Sequence, residues 1–304
     1  MITLLQAKTW ELLQQKEVSL ILGYGEFPQK INNGPKQRIV SPVFITKPEE
    51  TSSLVWNDRC VFNLSTYLTG KEVKAHHKVA IVAKGCDIKS ICVLIQENQI
   101  KREDLIIIGL TCQGVIGNNG RAKSEKCYSC QLKTPHIYDI LIDPDEKQAK
   151  EKTCVEKKVE SKNCLNPAQE KIDRMDKMNP QDKWQYCLDQ FSKCIRCYAC
   201  RQVCPLCYCE KCITDKSTPQ WIEKSPLLPG NLSFHIMRAF HLTGRCVDCG
   251  ECERVCPMNL PLTTLNKKMA QVVKDMYHYE PGLKTDEEPL FGSFQLEDEE
   301  SFIK

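Results

Sequence analysis

The chain has 304 residues, with 42 Lys or Arg against 39 Asp or Glu, for a formal net charge of +3. That near-neutral balance gives no reason to expect a nucleic-acid partner, and no apolar run approaches the roughly 20 residues that span a bilayer. Twenty cysteines are far above ordinary usage, yet the N-terminal stretch lacks the basic start, apolar core and small-residue cleavage site of an export signal, so a reducing cytoplasm and metal-ligating thiols are expected rather than disulfides.

In chain order, residues 1–16 read as a helix. Residues 18–25 form a short apolar run closed by glycines, a strand. Residues 39–46 form another strand, and Pro42 restricts it to an edge or irregular position. Residues 78–83 are a buried-strand run, followed by a turn with Asp87 as helix N-cap. Residues 88–98 make an amphipathic helix and 104–110 a second buried strand. Strand–helix–strand with apolar strands implies a parallel pair, whose ligands gather beyond the carboxyl ends of the strands. Cys86 and Cys112 both fall there. A CxxC (Cys127, Cys130) and a strand at 138–142 follow. Residues 144–182 are rich in charge and poor in large apolar side chains, which marks a linker, partly helical or disordered.

Beyond the linker, residues 182–194 form a helix leading into CIRCYACRQVCP (194–205), then Cys207, Cys209 and Cys212 and a Pro-rich segment. A helix at 231–243 ends at Gly244. CVDCGECERVCP (246–257) comes next, then a helix at 262–277 with Leu262, Leu265, Met269, Val272 and Met276 on one face. The fold class expected is an α/β N-terminal domain with a parallel sheet core (1–143), a charged linker (144–182), a mainly helical two-cluster ferredoxin-like C-terminal domain (183–280) and an acidic tail (281–304).

The two motifs share the spacing C-x2-C-x2-C-x3-C-P. Bacterial-type ferredoxins hold 4Fe–4S clusters with this run, and the fourth cysteine of one motif ligates the cluster of the other. Cys194, Cys197, Cys200 and Cys256 are therefore assigned to one 4Fe–4S cluster, and Cys246, Cys249, Cys252 and Cys204 to a second. Structural zinc is the alternative, but zinc sites typically use two separated CxxC pairs. Tyr198 and Val247 are placed to shield the clusters from water, which tunes potential. Cys207, Cys209 and Cys212 either contribute to a further metal or thiol redox site or pack in a crowded loop. Cys92 and Cys187 fall within helices and read as core, Cys154 and Cys164 as exposed linker thiols.

KGCDIKS, IIGLTCQG and CYSCQLKTPHIYDILI, within about residues 55–143, resemble the beta-subunit family of the deazaflavin-coenzyme-reducing hydrogenases and formate dehydrogenases. The match is best to short members with a two-cluster ferredoxin module. The matching positions are Cys112, Cys127, Cys130 and Asp139. In several longer members the ferredoxin segment comes first; here it comes last. The resemblance implies a third 4Fe–4S cluster, held by Cys112, Cys127, Cys130 and one of Cys86 or Cys60. The alternative for Cys60 and Cys86 is that they are buried small hydrophobes. The resemblance also implies FAD as a candidate cofactor. No GxGxxG is present, but Lys84 and Lys89 flank a helix N-terminus able to hold phosphate. Lys84, Gly85, Asp87 and Lys89 are thus the flavin candidates, with an ordinary turn bearing solvated lysines as the alternative.

No nucleophile–base pair, GxSxG or telling pair of carboxylates is found. The expected function is an iron–sulfur electron-transfer subunit of a cytoplasmic, anaerobic redox complex. It would relay single electrons between partner subunits resembling formate dehydrogenase, hydrogenase or heterodisulfide reductase. The alternative is a flavin-containing oxidoreductase that exchanges hydride with a deazaflavin or nicotinamide coenzyme and feeds its clusters.

Overall fold

The structure, a computed structural model, describes residues 1–30, 36–117, 120, 122–128, 130–143, 150–151, 167–292, 294 and 296. The elements run α1 (Ile2–Gln14), β1 (Leu20–Lys30), β2 (Lys36–Ile45), α2 (Lys71–Lys74), β3 (Val79–Ala83), α3 (Gly85–Gln96), β4 (Leu105–Leu110), β5 (Ile140–Ile142) and β6 (Lys150–Glu151). They continue as α4 (Pro167–Asp176), α5 (Pro180–Phe191), α6 (Ala199–Gln202), α7 (Leu228–His241), α8 (Glu251–Arg254) and α9 (Leu262–Tyr277).

Among the described residues the strands form one mixed sheet in the order β2-β1-β3-β4-β5-β6. The inner pairs β1–β3, β3–β4 and β4–β5 are parallel, and each flank closes with an antiparallel pair. Every residue of β3 and β4 is buried, as the uninterrupted apolar runs require of strands covered on both faces. Burial of Ile81, Ile107 and Ile108, all fully enclosed, contributes about 1.5–3 kcal/mol each. Pro42 lies in the edge strand β2, opposite Tyr24, where a missing N–H costs no ladder bond.

Three expectations about elements change. The first two strands are longer than the apolar runs, since residues 26–29 pair with 37–40 in a polar extension of the hairpin. Asp87 is not the N-cap of α3: Lys84 takes that position, and Asp87, at the third helical residue, accepts a bond from the Lys84 amide at 2.8 Å, the carboxylate half of a capping box. On α9 only the first half of the expected apolar face is covered. Leu262 is buried, while Val272 and Met276 are exposed and Val273 is buried instead.

The C-terminal part is mainly helical. Phe191 of α5, Cys200 of α6, Phe234 of α7 and Cys252 of α8 share one small core with Leu260 and Leu262. A second small core joins Val93 and Leu94 of α3 to Leu206, Leu242, Val247 and Cys249, so the two parts of the chain pack directly. Helix α4, inside the segment read as a linker, is tied in by Lys171–Glu125 (2.6 Å) and Lys268–Asp176 (2.7 Å). The start of the segment read as a solvated tail docks on α3, through a bond from Gln96 to the Lys284 carbonyl at 3.1 Å. Cys154 and Cys164 lie outside the described residues.

Candidate metal centres

The two cysteine motifs fold alike. In the first, Arg196 and Tyr198 take left-handed backbone conformations; in the second, Asp248 and Gly250 do so at the same positions. The first left-handed residue of each motif turns its amide back toward the sulfur two residues before it. Arg196 N–H reaches the Cys194 Sγ at 3.4 Å, and the Asp248 amide donates to Cys246. The amides of Leu206 and Glu251 do the same for Cys204 and Cys249, and Leu260 N–H reaches Cys256 Sγ at 3.4 Å. Backbone N–H groups aimed at sulfur favour its anionic, metal-binding form.

Two cavities result. One is lined by Cys194, Cys197, Cys200 and Cys256, with Tyr198, Phe234 and His235 among its walls. The other is lined by Cys204, Cys246, Cys249 and Cys252, with Arg238. Each cavity thus gathers three thiols of one motif and the pre-proline thiol of the other. Burial, above all, pushes the Cys200 thiol up to about 11 and those of Cys246 and Cys252 to about 12. The thiols ring a space and do not converge on a point: among the described residues no group of three or more His, Cys, Asp or Glu side chains is drawn together as one metal ion would need. This donor set fits a four-iron cluster better than zinc.

At the carboxyl edge of the sheet, the chain returns from β4 past Cys112, Cys127 and Cys130. Gly114 N–H donates to Cys112 Sγ at 3.4 Å and Val115 N–H to Cys127 Sγ at 3.5 Å. Burial and then the neighbouring thiols of Cys127 and Cys130 raise Cys112, partly offset by that amide and by Lys84. Cys86, on the first turn of α3, is raised to about 12, mainly by burial. It faces Lys126 and packs toward the core that holds Cys249. Cys60 is fully enclosed, its sulfur accepting from Asn57 N–H at 3.4 Å and lying 3.9 Å from the Val55 carbonyl.

Lys126 links this group to the second cavity. Its ammonium donates to the Cys249 carbonyl at 2.5 Å and pairs with the buried Glu251 at 3.6 Å. Burial opposes the charge, but Cys86, Glu251 and Cys249 hold the ammonium above its usual range.

The four flavin candidates do not present a phosphate cradle. Lys84 and Asp87 are buried and pair with each other at 3.1 Å. The Lys84 ammonium also donates to the Phe62 carbonyl at 2.6 Å and to the Tyr24 hydroxyl. The Leu132 carbonyl fills the space over Gly85, only 2.0 Å from where a Cβ would stand, and Lys89 pairs with Glu280 at 2.9 Å. Both lysines are thus engaged and the space over Gly85 is filled, although the Asp87 Oδ1 is buried without a hydrogen-bond partner, so flavin phosphate does not fit these groups as they stand. Asp139 accepts from Ile107 N–H at 2.7 Å and from Arg102 at 2.6 Å, a brace between β4 and β5 set back from the thiols.

Of the remaining cysteines, Cys207 packs beside Cys204 and Cys246. A hydrogen bond with Cys204 lowers its pKa against the effect of burial. Cys212 accepts from the Thr214 hydroxyl at 3.1 Å, and Cys209 is exposed. His235 and Arg238 were not singled out in the helix expected at 231–243. The available signal was a histidine and an arginine three residues apart on a largely apolar helix, and therefore on one face.

No protein-family model matches the chain. Among curated proteins it is similar to the F420-dependent formate dehydrogenase subunit beta of Methanocaldococcus jannaschii, 26% identical over 82% of this chain and 85% of that protein. It is also similar to the F420-dependent formate dehydrogenase 1 subunit beta of Methanococcus maripaludis, 23% identical over 83% of this chain and 84% of that one. The likeness to the beta-subunit family of such enzymes therefore runs along most of the chain, not only through residues 55–143.

Proposed function

We propose that this chain is an iron–sulfur electron-transfer subunit of a formate dehydrogenase-type redox complex. It would relay single electrons between a partner that oxidises or reduces substrate and a second acceptor. The observation that carries the reading is the pairing of thiols across the two motifs, four around each cavity. Cys194, Cys197, Cys200 and Cys256 would hold one 4Fe–4S cluster, and Cys204, Cys246, Cys249 and Cys252 the other. Cys112, Cys127 and Cys130 with Cys86 would hold a third. Of the two candidates for the fourth ligand, Cys86 is favoured because it is the less enclosed and lies beside Lys126 at the junction with the second cavity. Such clusters supply one-electron storage with little change of geometry. The protein's part is to fix their spacing, exclude water and set their potentials. The similarity to formate dehydrogenase beta subunits supports a partner of that type, and the metal-ligand spacing of the cysteines supports a cytoplasmic setting.

The relatives' names carry a dependence on F420, which favours a second reading: the chain itself exchanges hydride with such a coenzyme through a bound flavin. The occupied side chains of Lys84, Asp87 and Lys89 weigh against the flavin site expected from sequence. Iron, acid-labile sulfide and flavin measured on one anaerobic sample separate the readings. About twelve irons per chain, as three four-iron clusters require, without flavin is the expected result. About eight irons would remove the N-terminal cluster. Flavin near one per chain would move the function to the second reading.

A further inference from the structure

We propose that Arg238 is a built-in counter-charge for the iron–sulfur centres, seated between the two thiol cavities, and that it raises the reduction potential of the centre held by Cys204, Cys246, Cys249 and Cys252. The inference rests on the iron–sulfur reading above. Its starting point is an anomaly of burial. Arg238 is only 6% exposed, and among the described residues no carboxylate pairs with it. More exposed arginines do find one: Arg201 pairs with Asp215 at 2.7 Å, Arg245 with Glu97 at 2.5 Å and Arg254 with Glu251 at 2.6 Å. The equally buried Arg196 has none either, but donates to the Gly230 and Glu223 carbonyls and the Tyr198 hydroxyl. Arg238 lacks such a set. Its Nη2 donates to the Cys200 carbonyl at 3.2 Å, and its Nε finds no acceptor. A buried guanidinium with no anion is strongly disfavoured.

The guanidinium's leading neighbours able to carry negative charge are cysteines; Asp248, on the wall of the second cavity, is paired with Lys267 at 2.7 Å. Arg238 lines the second cavity with its four thiols, and its strongest electrostatic partners are Cys252, Cys204, Cys207 and Cys200. Cys204 and Cys252 belong to the second cavity, which Arg238 lines, and Cys200, whose carbonyl it bonds, to the first. Neutral thiols would leave its charge uncompensated; thiolates bound to iron compensate it. A fixed positive charge favours whichever state of the centre holds one more electron. Its loss therefore lowers the potential, most at the cavity that Arg238 lines.

The test uses the full chain, purified anaerobically, with Arg238→Met and Arg238→Lys beside the wild type. Iron per chain is measured first, then potentials are read by redox titration with electron paramagnetic resonance. In Arg238→Met, the midpoint of one centre falls by a tenfold shift in its redox equilibrium or more, about 59 mV for one electron. Arg238→Lys lies between Met and wild type. Loss of iron in the Met variant with retention in the Lys variant also supports a charge requirement. Unchanged potentials in an iron-replete Met variant overturn the proposal, as does equal loss of iron from both variants, which would make the role one of shape. A wild type without iron sinks the iron–sulfur reading itself, a failure distinct from these.

Discussion

A thiol buried at the second cavity is a weak acid until iron replaces its proton. Burial holds Cys246 and Cys252 at about 12 and Cys200 at about 11, so at neutral pH each must release a proton to become a ligand. The sign follows: lower pH favours the protonated, empty site. Between pH 8 and pH 6, iron retention against a fixed concentration of chelator should fall steeply, by about tenfold per released proton per pH unit. Flat retention over that range would mean that these thiols are not the ligands. The same chemistry separates Cys86 from Cys60. Cys86→Ser should remove about four irons, the content of one cluster, and leave the other two intact. Cys60→Ser, altering a sulfur enclosed by Asn57 and Val55, should keep full iron and lose only stability. If Cys60→Ser loses the iron and Cys86→Ser keeps it, the assignment is reversed.

At the scale of elements, what could be read from the sequence followed from how far each signal travels. The β3–α3–β4 unit was legible because continuous apolar runs bounded by polar turns have few other solutions. The exchange of the pre-proline cysteine between motifs was legible because spacing alone encodes it. The left-handed turns were not. Gly250 advertises such a conformation, but Arg196, Tyr198 and Asp248 share it, and side chains of their size ordinarily avoid it. The requirement to aim an amide at the preceding sulfur accounts for Arg196 and Asp248; nothing comparable explains Tyr198. The partners of Arg238 and Lys126 were illegible for a different reason, since they come from segments remote in sequence. The docking of residues 279–284 on α3 was hidden too, because the stretch directly after them is acidic and suggested solvent. Gly282 makes that contact: its φ is +84°, and an added Cβ would stand 2.5 Å from the Lys89 carbonyl. Gly282→Ala should destabilise the chain by more than ~1 kcal/mol and release the segment, which denaturant titration and limited proteolysis would register. A variant with wild-type stability and protease resistance would show that the contact is dispensable.

Across the whole molecule, the two parts of the chain rest on unequal foundations. The sheet carries a large continuous core, from Leu5 of α1 to Ile142 of β5. The C-terminal helices share two small cores in which cysteines supply much of the buried surface. Between them lies a junction of polar contacts. Glu97 receives Tyr208 at 2.7 Å and Arg245 at 2.8 Å, Thr66 donates to the Val203 carbonyl at 2.9 Å, and Arg254 stacks over Phe62 at 4.6 Å. Where a core is too small to hold a fold alone, metal binding becomes folding free energy. Stripping iron with a chelator should therefore unfold the C-terminal helices selectively. Amide hydrogen exchange is expected to lose protection along α7, α8 and α9 while β3 and β4 keep theirs, with the junction at Glu97 and Thr66 loosening in step with the helices. Equal protection everywhere before and after iron removal would mean that the helices stand on apolar packing alone. Equal loss everywhere would mean that the junction makes the molecule one cooperative unit, in which loss of iron from the cavities also costs the sheet its stability.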